Sequence, residues 1–203
     1  EGRPRGIINL GEETLSGVTK PITTTATKLN RIAKLSSKDS AMEFRCLMPH
    51  INKESLTSCF HELDGKKAVG IDGITKEMYG KNLSENIDVL LSRMKTMSYR
   101  PQAVREVMIP KDGKPGEFRP LAISCFEDKL VQLQTAKILE AIYEPVFRNC
   151  SYGFRPGRSC HTAIKDLFTH LNSKGCEVVI DVDLKNIFGM IKHETLLRFL
   201  RIK

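Results

Sequence analysis

The chain has 203 residues, 40% of them hydrophobic and 28% charged, with a net charge of +8. This fits a globular protein with a real core and a polyanionic partner. It excludes a membrane span, because no run approaches ~18 apolar residues, and the opening Glu1-Gly-Arg-Pro-Arg-Gly6 lacks the apolar core of a signal peptide.

The six cysteines form no Cys-x-x-Cys pair. That argues against a zinc ribbon and for scattered thiols in a reducing compartment, so a cytoplasmic location is expected. Residues 1 to about 27 are rich in Gly, Thr and Pro and read as an extended lead-in. Leu29, Ile32 and Leu35 then suggest a short helix carrying Lys28, Arg31 and Lys34, cations suited to a phosphate backbone.

Leu56, Cys59, Phe60 and Leu63 recur at helical spacing over 52–63, and Asp64-Gly65 closes the segment. Asp72-Gly73 signals a turn, and Thr75 can cap a helix behind it. Ile87, Leu90, Leu91, Met94 and Met97 form one stripe on a helix over 84–99. The period then changes. Val104 to Ile109 and Phe118 to Ile123 read as strands joined by the turn-rich loop Lys111 to Glu117, with Pro120 demanding an edge position. Lys111 leaves the first strand and Arg119 enters the second, which makes a two-point cationic grip available.

Ser124-Cys-Phe-Glu127 reads as a capping box for a central helix running to about Phe147, with Pro145 bending or ending its last turn. Next comes Ser151-Tyr-Gly-Phe-Arg-Pro-Gly-Arg-Ser159. Here Arg155 and Arg158 offer phosphate-matching forks, and Tyr152 and Phe154 offer rings for stacking. Ser159 can cap a helix with Ile164, Leu167, Phe168 and Leu171 on one face. Cys176 to Asp183 is β-branched and nearly continuous in apolar character, as in a buried central strand. Its Asp-Val-Asp ending hints at a metal site, because a buried carboxylate needs a cation or hydrogen bonds to offset its desolvation. Ile191 to Leu200 reads as a last helix.

In chain order these motifs run Gly70-Ile-Asp-Gly73, Tyr99-Arg-Pro101, Ile109-Pro-Lys111, Arg119-Pro-Leu121, Lys129-Leu-Val-Gln132, Glu144-Pro-Val-Phe147, Ser151 to Ser159 with His161, and Asp183-Leu-Lys185 with Phe188 and His193. The series resembles the fingers and first palm strand of group II intron-encoded reverse transcriptases (maturases), from roughly Lys53 to the C-terminus. The resemblance implies an α+β, right-hand polymerase fold, helix-rich, with a β-hairpin and a central palm strand. It divides the chain into an N-terminal extension or arm (1–50), fingers with the start of the palm helices (51–175), and the first palm strand with its following helix, truncated (176–203).

The same resemblance implies RNA-directed DNA synthesis together with help in splicing the encoding intron. Asp183 matches the catalytic, metal-binding carboxylate for two Mg²⁺ ions, with the Leu184 backbone carbonyl as a further ligand. Lys111 and Arg119 match the residues that grip the incoming dNTP, and Phe188 matches the bulky residue beneath its sugar. The implied partners are intron RNA and an RNA template with its DNA primer, with no membrane; a homodimer stays open, and the implied host is bacterial or organellar. Gly189 and Lys192 stand where relatives usually carry acids, and Asn186 where Gly is common. The second palm acid pair is not in this chain, so the chain alone is expected to be inactive. Two alternatives stand beside this reading: an RNA-binding maturase module whose copying activity is degenerate or lost, and a retron or diversity-generating reverse transcriptase.

Overall fold

The structure, a computed structural model, describes residues 25–113, 116–173, 178–184 and 186–202. The expected lead-in before Thr25 therefore lies outside the described residues, as do Lys114, Cys176, Glu177 and Lys185 of the expected loop, strand and motif.

The core is helical. Helix α2 (Lys53–Glu62) begins at Asn52, whose side chain accepts from the Ser55 N–H while the Ser55 hydroxyl accepts from the Asn52 N–H. That reciprocal cap satisfies two orphan donors of the first turn. Thr75 caps the short helix α3 (Lys76–Gly80) through the Met78 N–H, as its position in the sequence predicts. Helix α4 (Leu83–Lys95) ends earlier than its apolar stripe suggests. Met97 adopts φ 58°, the Ser98 N–H returns to the Arg93 carbonyl at 2.9 Å, and the Met97 N–H returns to the Met94 carbonyl at 3.2 Å. This double closure ends the helix and leaves Met97 in solvent instead of in the core.

Strands β1 (Arg105–Pro110) and β2 (Phe118–Ile123) form an antiparallel hairpin in the register Ile109 opposite Arg119. With two strands, both are edges, and Pro120 is accommodated. Helix α5 (Phe126–Tyr143) follows, and a 3₁₀ turn at Glu144–Val146, with Pro145 in its first residues, stops it. The expected capping box does not form: Cys125 is the N-cap and makes no side-chain cap bond, and the Ser124 hydroxyl instead accepts from the Gln132 amide at 3.1 Å.

Two apolar clusters meet on α5. Leu56, Cys59, Tyr79, Ile87, Leu90 and Leu91 pack on Phe126 and Leu130. Helix α1 (Thr25–Lys38) packs Ile32 against Ile138 and Ile142, and its Ser36 hydroxyl donates to the Ile142 carbonyl at 2.6 Å. Burying each large aliphatic side chain here contributes about 1.5–3 kcal/mol. The helix near Leu29 is thus docked on the core, with a cationic outer face.

Beyond the 3₁₀ turn the packing thins. Helices α6 (Cys160–Ser173), α7 (Ile187–Met190) and α8 (His193–Leu200) bury no residue. Residues 178–184 carry no regular secondary structure and are exposed, which departs from the expected central palm strand. A strand of that composition needs a hydrogen-bonded neighbour and cover on both faces, and no described residue supplies either; the sheet has only β1 and β2. The architecture observed is helix-rich α+β with one hairpin. No helix of the described residues is long and apolar enough to cross a membrane.

Candidate nucleotide and nucleic-acid site

The hairpin supplies the clearest geometry. Residues opposite one another in an antiparallel pair share a face, and faces alternate along each strand. The register continues past Pro110, because the Lys111 N–H donates to the Glu117 carbonyl at 2.9 Å. Lys111 therefore faces the same side as Ile109, Arg119 and Glu117. Lys111 and Arg119 are diagonal neighbours, a relationship that sets Cβ atoms roughly 7 Å apart. The Lys111 ammonium is paired with the Glu117 carboxylate at 2.8 Å, while Arg119 is exposed and has no ion-pair partner among the described residues.

The base of the hairpin is fixed by a polar network. Buried Asp128, in the first turn of α5, accepts the Tyr99 hydroxyl and, at 3.0 Å, the Gln102 N–H. Arg93 pairs with Glu127 and lies over the Tyr99 ring, 6.0 Å from its centroid. Burial first, and then the Asp128 carboxylate, push the Tyr99 phenol above its usual range. The Gly-Ile-Asp-Gly turn is seated beside this network. A Cβ on Gly70 would come within 2.6 Å of the Cys125 Cα, and Lys129 donates to the Ala68 carbonyl at 2.6 Å.

The segment 151–159 is stapled to the protein itself. Arg155, whose side chain is 6% exposed, bonds both Glu144 carboxylate oxygens and the carbonyls of Arg148 and Ser151. Few of its five N–H groups remain for a phosphate. Arg158 bonds the Asn149 carbonyl and lies over the Tyr152 ring at 5.2 Å from its centroid, and the Tyr152 hydroxyl donates to Asp166 on α6. Arg158 and Tyr152 remain partly exposed, and Phe154, at φ 56°, projects fully into solvent. On α1, Arg31, Lys34 and Lys38 recur at i, i+3 and i+7 and are exposed; Lys28 is half-buried.

Asp183 is exposed and has no hydrogen-bond or ion-pair partner among the described residues. The donor set at hand, the carboxylates of Asp181 and Asp183 with the Leu184 carbonyl, is all oxygen, as a hard divalent cation prefers. No group of three or more His, Cys, Asp or Glu among the described residues could hold a metal. Phe188 is 86% exposed on α7. Asn186, where the backbone turns left-handed at φ 51°, tolerates that conformation nearly as Gly does. A Cβ on Gly189 would lie 2.7–2.9 Å from the Asn186 amide. The two departures are therefore linked, since the Asn186 side chain fills the space that a side chain at 189 would enter.

Sequence reading missed Glu117, Asp128, Glu144 and Asp166, the acids that hold the named cations and rings. Only Glu117 had a signal, its place opposite Lys111 once the hairpin register is counted.

Residues 109–201 match the model of the reverse transcriptase (RNA-dependent DNA polymerase) family. The group II intron-encoded protein LtrA of Lactococcus lactis subsp. cremoris is 34% identical over 86% of this chain. Residues 109–201 thus carry the sequence pattern of the reverse transcriptase family, and most of the chain is similar to a group II intron-encoded protein. A 91 kDa protein in the cob intron of Schizosaccharomyces pombe is 35% identical over 75% of the chain and 18% of its own length. Protein YkfC of Escherichia coli K12 is 34% identical over 68% of the chain and 36% of its own length. The chain spans 29% of the length of LtrA.

Proposed function

We propose that the chain is the fingers and leading palm segment of an RNA-directed DNA polymerase that also holds its intron RNA. The observation that carries this reading is the hairpin register: Lys111 and Arg119 share one face, which supports a two-point grip for the triphosphate of an incoming dNTP. An ammonium and a guanidinium together fit such a polyanion, one as a point charge and one as a planar fork.

In this reading Asp183 and the Leu184 carbonyl supply ligands for Mg²⁺, completed by acids from the rest of the full-length protein. Bound there, the metal supplies activation of the primer hydroxyl and stabilisation of the leaving pyrophosphate. Phe188 packs beneath the sugar and disfavours a 2′-hydroxyl. Arg158 and Tyr152 contact template or primer backbone, and Arg155 holds their loop in shape. The fold is thus the fingers of a right-hand polymerase, with 176–203 as its first palm segment.

Primer extension by the full-length protein tests the reading. Lys111→Met and Arg119→Met should each raise KM for dNTP, and Asp183→Ala should abolish extension. Unchanged activity in Asp183→Ala sinks the metal assignment.

A second reading, an RNA-holding maturase module, is favoured by the exposed stripe Arg31, Lys34 and Lys38 on α1. Intron RNA binding should then weaken steeply with salt and lose slope when these cations become Gln.

A further inference from the structure

We propose that Glu117 competes internally for Lys111 and so sets how tightly the fingers hold an incoming nucleoside triphosphate; this rests on the grip described above. The Glu117 carboxylate lies 2.8 Å from the Lys111 ammonium, with the two side chains 50% and 44% exposed. It is not a drifting surface charge. The Lys111 N–H to Glu117 carbonyl bond fixes the two residues opposite each other, and Glu117 shares its strand face with Arg119 two residues on. On this face one anion thus stands beside both Lys111 and Arg119.

When a triphosphate binds, Lys111 must leave Glu117. An exposed pair of this kind is weak and easily displaced. The freed carboxylate then faces a polyanion across a short distance, and the like charges repel. Both effects act in one direction: Glu117 loosens the complex. A fingers site that must release mismatched nucleotides quickly gains from this, because occupancy is then decided by contacts beyond the phosphates.

The test uses the full-length protein with primer–template, reading both KM for dNTP in extension and equilibrium binding of a dNTP. Glu117→Gln, which keeps shape and removes charge, should lower KM and Kd about fivefold at low salt. The gain should shrink as salt rises. It should be smaller in a Lys111→Met background, where the competition for Lys111 is gone and only the repulsion remains. An unchanged or raised KM in Glu117→Gln overturns the proposal, as does an equal gain with Lys111→Met. If Lys111→Met raises KM while Glu117→Gln does nothing, the competitor fails and the grip stands. If Lys111→Met has wild-type KM and Kd, or if the full-length protein neither extends a primer nor binds a triphosphate, the grip and the competitor fall together.

Discussion

Glu144 holds one edge of the Arg155 guanidinium by three contacts: Nη2 to Oε1 at 2.8 Å, Nε to Oε2 at 3.1 Å and Nε to Oε1 at 3.2 Å. The partner acid stands in the 3₁₀ turn that ends α5, and the cation stands in the middle of the Ser151–Ser159 stretch. The arginine also stacks on Phe147, 5.2 Å from the ring centroid. A stretch rich in Gly and Pro is thereby tied to the end of the central helix by one side chain.

Arg155→Lys keeps the charge and loses the fork, and an ammonium cannot serve Glu144 and two carbonyls in the same plane. Backbone amides over 148–159 should exchange faster by hydrogen–deuterium mass spectrometry, with α5 amides unchanged. Glu144→Gln should act in the same direction. Wild-type protection in Arg155→Lys would show that the tie is not needed for the loop's shape.

Asp128 ties the entry of the hairpin to α5 through Tyr99 and Gln102. Asp128→Ala removes the acceptor of both and leaves a half-buried phenol and a backbone N–H unpaired. The expected loss is about 2–3 kcal/mol in denaturant unfolding. Because Gln102 leads into β1, KM for dNTP should rise as well. A variant as stable as wild type would show that water replaces the carboxylate.

The alkaline limb of stability follows from two phenols. Tyr99 and Tyr79 are both held above the ordinary tyrosine range, first by burial, then by the Asp128 hydrogen bond for Tyr99 and the Glu127 charge for Tyr79. In the unfolded chain these phenols ionise near pH ~10. Above that pH the unfolded state releases protons that the folded state retains, so stability is whole below pH ~10 and falls as pH rises further. Tyr99→Phe should flatten this fall when unfolding is followed from pH ~9 to 11. An unchanged slope would place the Tyr99 phenol in contact with solvent.

Gly70→Ala puts a methyl group into the Cys125 backbone, 2.6 Å from Cα and 2.7 Å from N. Neither atom is the end of a flexible side chain, so the turn or the start of α5 must move. The expected cost is about 1–3 kcal/mol. Gly73→Ala is instructive beside it: its φ is 68° but nothing lies within 4 Å, so the penalty there is conformational and not steric. Equal melting temperatures for wild type and Gly70→Ala would contradict the close approach.

Local chemistry is what the sequence made legible. The hairpin, the Thr75 cap, the Pro145 stop and the Ser159 cap all depend on residues within a few positions of one another, and each is present. The readings that failed depend on remote partners or on competition between local motifs. Cys176 to Asp183 has a strand's composition, but pairing depends on neighbours that composition does not supply. Ser124 carries the right spacing for a cap, yet its hydroxyl turns to Gln132. Met97 keeps the apolar stripe in phase, but the left-handed closure at φ 58° removes it from the core. Arg155 was visible as a cation; that its charge is turned inward depends on Glu144, eleven residues before it and on another element.

Helix α5 belongs to both apolar clusters, through Phe126 and Leu130 near its start and Ile138 and Ile142 near its end. One rigid rod thus forms a wall of each. Disrupting either cluster removes a support from the same eighteen residues, so loss of one should destabilise the other. Helix α1 and the first cluster are therefore coupled through α5, and unfolding followed at either one should give a single transition.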